Sequence, residues 1–154
     1  MNPFGFALAL TLLGAPSAPT DLAFRDFFEP TPRELRPSAR LLSLDGQRVR
    51  IVGYMARTEE PPTGGFYLCP SPVLVTESGA GTADLPPQTV FVVVRSARGR
   101  ALEHRPGPLV VTGVLELGGA PDDADRVFPI RIHFDPPTST DGAAGPGEPA
   151  TAQP

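Results

Sequence analysis

The 154-residue sequence contains no tryptophan and no lysine, so all 13 of its basic residues are arginine. Charged residues make up only 19% of the chain, below the roughly 25% of average composition. The formal net charge of -4 argues against a surface built throughout for nucleic acid. A single cysteine, Cys69, excludes an internal disulfide and leaves the redox compartment open. No apolar run approaches the roughly 20 residues that a membrane-spanning helix needs. In excess are proline and glycine, 21 and 16 residues, about twice their usual share, which leave little room for long helices and exclude a coiled coil. A hydrophobic content of 40% excludes a uniformly disordered chain.

The uncharged stretch Phe4–Ala15 has the length of a signal-peptide apolar region, and its small-residue end Ala15-Pro16-Ser17 places the expected cleavage before Ala18. Residues 1–17 are therefore expected to be a signal peptide, and the chain to be periplasmic or secreted. Residues 18–43 read as a short-helix segment. Phe24, Phe27 and Phe28 form an apolar stripe at helical spacing that Pro30 stops, Thr31-Pro32-Arg33-Glu34 has the pattern of a capping box before Pro37, and a further turn is expected over Ser38–Leu42.

From Arg48 the period changes to two. Val49, Ile51, Gly53 and Met55 share one face, with Arg48, Arg50 and Tyr54 on the other, after an Asp45-Gly46 turn. Further strands are expected over Gly65–Cys69, Val73–Val75, Gln88–Arg95, Pro108–Leu117 and Val127–Phe134, the last at a sheet edge because Pro129 lacks a donor. Gly53 and Gly113 fall on inward faces, where a strand must coil to serve two sheets. The expectation is a mainly β chain: a small OB-like β-barrel over residues 44–135 with a short helical N-terminal segment. Residues 136–154 carry no large apolar side chain and read as a disordered tail.

The stretch Leu42–Met55, with Leu85-Pro86-Pro87-Gln88-Thr89-Val90 and Gly107–Gly113, resembles the strands of an uncharacterised family of exported bacterial proteins known only as a domain of unknown function. The resemblance spans roughly Leu42 to Leu117 and implies an OB-like fold and an envelope location, with no activity. That family's middle loop carries a Cys and a His ahead of the double proline, whereas residues 76–84 here hold neither, which removes any metal or thiol role attached to that loop.

The candidates for chemistry are few. His104 and His133 are far apart in sequence, Cys69 has no neighbouring base, and Asp122, Asp123 and Asp125 lack the spacing of a calcium loop. No catalytic residue, metal or cofactor is therefore expected. The densest feature is Arg95, Arg98, Arg100 and Arg105 within one inter-strand loop, since guanidinium forks bind phosphate and carboxylate. The leading expectation is a non-enzymatic envelope binding module with a protein partner. The alternative is an oligonucleotide- or polyanion-binding domain using that loop with Arg48, Arg50 and Tyr54.

Overall fold

The computed structural model describes residues 18–30, 34–75, 85–119 and 129–136. The proposed signal peptide, Thr31, Pro32 and Arg33 of the capping pattern, the loop 76–84, the aspartates at 122, 123 and 125, Val127 and Phe128 of the last expected strand, and the tail beyond Pro136 lie outside them.

Five strands form a closed barrel: β4 (Arg48–Met55), β6 (Gly65–Cys69), β8 (Val90–Val93), β9 (Pro108–Leu117) and β10 (Ile130–Phe134). Their order around the wall is β4-β6-β8-β10-β9, and β9 returns to pair with β4. All neighbours are antiparallel except β8 and β10, which run parallel. A short β1 (Thr20–Asp21) adds in parallel to β4. The alternation read from β4 holds: Val49, Ile51, Gly53 and Met55 are buried, and Arg50 and Val52 face out. Val49 and Ile51 join Leu68, Val90, Val92, Val111, Leu115, Ile130 and Ile132 in one interior cluster. Asp45-Gly46 forms the expected turn. Gly46 takes φ 72, which favours glycine, and the Asp45 carboxylate accepts from the Leu117 amide at 2.8 Å.

The N-terminal segment is part of this core. Helix α1 (Ala39–Ser43) is capped by Ser38, whose hydroxyl accepts from the Leu41 amide at 3.0 Å and donates to the Asp26 carbonyl. Leu41 and Leu44 pack into the barrel where β4 starts and β9 finishes, joined by Leu22 and Phe27. The phenylalanine stripe is correct as a face but not as a helix. Phe24–Asp26 make a single 3-10 turn, and Phe28 already belongs to β2 (Phe28–Pro30), paired with β3 (Leu35–Pro37). The expected helical turn before Pro37 is thus replaced by a strand at Leu35–Pro37, as the restriction that proline places on the residue before it favours.

Two further expectations are corrected. Leu74–Val75 (β7) does not enter the barrel; it pairs in parallel with β5 (Arg57–Thr58) outside it, so the barrel has five strands and not six. The last strand is not an edge, because β10 is flanked by β8 and β9. Pro129 lies one residue before it, where no ladder donor is needed, and its carbonyl accepts from Gly118 at 3.0 Å.

Candidate functional site

The outer face of β6 and β8 is covered from within the chain. Tyr67 and Phe91, on β6 and β8, are each 3% exposed and lie 5.6 Å apart between ring centres. They form a second apolar cluster with Ala56 and Cys69, and Val73, Leu85 and Val93 pack against it. The rings that would stack bases are enclosed. Cys69 belongs to the same cluster: its sulfur lies 3.4 Å from the Thr89 hydroxyl, and burial pushes the thiol up from its ordinary value, opposed in part by that hydrogen bond. A raised thiol is poorly nucleophilic.

The barrel is open at its opposite end. There β4, β8 and β10 finish and β6 and β9 begin, and a groove of about 610 Å³ is lined by Met55, Phe66, Val94, Leu102, Leu109 and Phe134. Its rim is the loop Glu103-His104-Arg105. Backbone bonds anchor the chain ahead of this loop: the Gly64 amide donates to the Arg100 carbonyl at 2.9 Å, and the Val94 amide to the Gly64 carbonyl at 2.8 Å. His104 Nε2 donates to the Met55 carbonyl at 3.2 Å, and the Arg105 amide points at Met55 Sδ at 3.4 Å. A second depression of about 500 Å³ adjoins the first through the shared residues Val94 and Phe134, and carries Arg95, Ser96, His133 and Asp135.

The arginines expected to act together are divided. Arg50 is held by Asp21 at 2.7 and 3.3 Å, and its guanidinium keeps that carboxyl below the ordinary aspartate value. Arg48 contacts Asp135, a residue of the second depression, at 3.2 Å. Tyr54 is half-buried on the outer wall, opposite Cys69 and Pro108. Arg95, Arg98, Arg100 and Arg105 are all exposed, and Arg100 donates to the Ser96 carbonyl at 2.7 Å. His104 and His133 line different grooves.

The sequence pattern did not reveal a cross-strand network on the outer wall. Arg131, only 7% exposed, contacts Glu116 at 2.5 Å, and His133 donates to the other oxygen of the same carboxylate. The His133 hydrogen bond first, and Arg131 with it, hold Glu116 below the ordinary glutamate value against a desolvation that opposes them. Period-two parity placed Arg131 and His133 outward, but their shared partner depends on register. Nor was the mouth visible, since its lining is drawn from five strand ends and a loop. The one available signal was the inward parity of Met55 and Phe134.

No protein-family model matches the chain, and no curated protein matches it. Among solved structures, the crystal structure of a DUF3299 family protein from Pseudomonas aeruginosa PAO1 is similar, with a TM-score of 0.48 and 18% identity, over 78% of this chain and 95% of that one. That neighbour is itself a member of a domain-of-unknown-function family. No helix among the described residues is long and apolar enough to cross a membrane.

Proposed function

We propose that the chain is a non-enzymatic, exported binding module of the bacterial envelope, periplasmic or secreted, and that it holds an apolar side chain of a partner protein in the open end of its barrel. The observation that carries the reading is the apolar groove of about 610 Å³ between Met55, Phe66, Leu102, Leu109 and Phe134. Concave apolar sites with a few polar groups at the rim are the usual form of recognition sites. Assignment of the barrel to the OB type is supported by its strand order, first-second-third-fifth-fourth and back to the first. Export is supported by the Phe4–Ala15 stretch. The non-enzymatic reading is supported by the buried Cys69 thiol and by Glu116, whose carboxylate is already engaged by Arg131 and His133.

Two measurements test this reading. Mass spectrometry of the protein from fractionated cells should find a mature N-terminus near Ala18 in the envelope or medium; an intact Met1 on cytoplasmic protein contradicts export. A phenylalanine-containing peptide should bind the parent and lose affinity by about tenfold or more when Leu102→Trp fills the mouth. Equal binding by a folded Leu102→Trp variant rules out the mouth.

The polyanion reading is favoured by one observation, the exposure of all four arginines between Arg95 and Arg105. The enclosed Tyr67 and Phe91 rings weigh against the stacking that single-stranded nucleic acid would use.

A further inference from the structure

The rim of the mouth carries a charge that narrows its partner. The loop from Arg95 to Arg105 contains four arginines and one glutamate in a chain of net charge -4, so its local sign is opposite to that of the whole. Arg105 stands at the rim of the apolar groove, and Arg95 stands in the adjoining depression, across the shared Val94 and Phe134. Both are exposed. Of the carboxylates nearby, Asp135 is already countered by Arg48 at 3.2 Å, which leaves Glu103 as the acidic group on the rim. An apolar floor with one arginine at its rim and another in the adjoining depression suits an apolar side chain flanked by carboxylates, because each guanidinium fork donates two N–H bonds to a carboxylate. Opposite charge at the rim also speeds encounter and rejects basic segments.

From this arrangement we infer that the partner presents an acidic segment, an extended peptide in which one large apolar residue is flanked by aspartate or glutamate. The apolar group occupies the mouth, one flanking carboxylate meets Arg105, and the other meets Arg95. This rests on the reading of the mouth as a protein-binding site and adds the charge of its occupant. A free fatty acid, with a single carboxylate, would use the apolar floor and one arginine, and an oligonucleotide the arginines without the floor.

The test uses the full mature chain and fluorescence anisotropy with labelled peptides: one phenylalanine flanked by aspartates, the same peptide with asparagines, and the same with lysines. The aspartate peptide is expected to bind, to weaken as salt rises, and to bind about tenfold more tightly than the asparagine peptide. Arg95→Gln with Arg105→Gln should remove that preference, and Arg95→Glu with Arg105→Glu should transfer it to the lysine peptide. If aspartate and asparagine peptides bind equally and Leu102→Trp abolishes both, the mouth stands as the site and the acidic partner is wrong. Binding of decanoate or a single-stranded oligonucleotide with no binding of any phenylalanine peptide overturns both statements. So does no binding by any probe.

Discussion

Gly113 lies where β9 is held on one side by Val49 and on the other by Phe134, and a Cβ there would run into the His133 carbonyl oxygen. The obstacle is backbone, so Gly113→Ala should cost about 3 kcal/mol or more in urea unfolding. At Gly53 a Cβ would meet the Cys69 carbonyl and the Phe24 ring at 2.8 Å. Part of that obstacle is a side chain able to yield, and Gly53→Ala should cost about 1 to 3 kcal/mol. Equal stability of both variants with the parent would sink the account of the barrel corners. Glu116 makes a pH prediction. Its folded value is depressed, so its contribution is complete above the unfolded glutamate value of about 4.3 and is lost as pH falls through the lower folded value. The carboxylate is 39% exposed, which keeps the contribution below about 1 kcal/mol. Thermal melts between pH 6 and pH 3, set as a range of about three units, should show a shallower acid loss for Glu116→Gln than for the parent. Identical acid slopes would remove Glu116 as their source.

At the scale of elements, helix α1 separates a buried from an exposed face within two residues. Leu41→Ala should cost about 2 to 5 kcal/mol because Leu41 is wholly buried, while Leu42→Ala at 56% exposure should stay within about 0.5 kcal/mol. Ser38→Ala should cost about 1 to 2 kcal/mol, since one hydroxyl serves both the helix amide and the Asp26 carbonyl. Chemical denaturation of the three variants checks the order, and an equal cost at 41 and 42 contradicts the docking of the helix. The strands Arg48–Met55, Gly65–Cys69 and Pro108–Leu117 match the sequence reading in their bounds: β4 because one buried face imposes alternation, and β6, buried on both faces over Tyr67–Cys69, because the turn before Gly65 and Pro70 after Cys69 delimit it. Where the pattern failed, the deciding information was pairing. Val73–Val75 has the composition of a strand but finds its partner in Arg57–Thr58, and Pro129 signals an edge only if it lies inside the ladder. Phe24, Phe27 and Phe28 show the same limit: their spacing marks a buried face and is satisfied by one 3-10 turn entering a strand.

For the whole molecule, the arginine loop was legible because four arginines in a short run stand out in any composition, whereas the mouth is assembled from Met55, Phe66, Val94, Leu109 and Phe134, which meet only when five strands close. Val73 and Leu85 pack over Tyr67 and Phe91, which covers the wall at β6 and β8. The measurement that tests this most directly is a titration of the isotope-labelled mature chain with the aspartate-flanked phenylalanine peptide, followed by backbone amide NMR. The account predicts shifts concentrated at Met55, Phe66, Val94, Leu102 to Arg105, Leu109 and Phe134, with β6 and β8 amides around Tyr67 and Phe91 unmoved. Shifts confined to the outer wall, at Arg48, Arg50 and Tyr54 or around Tyr67 and Phe91, with the mouth silent, would contradict it.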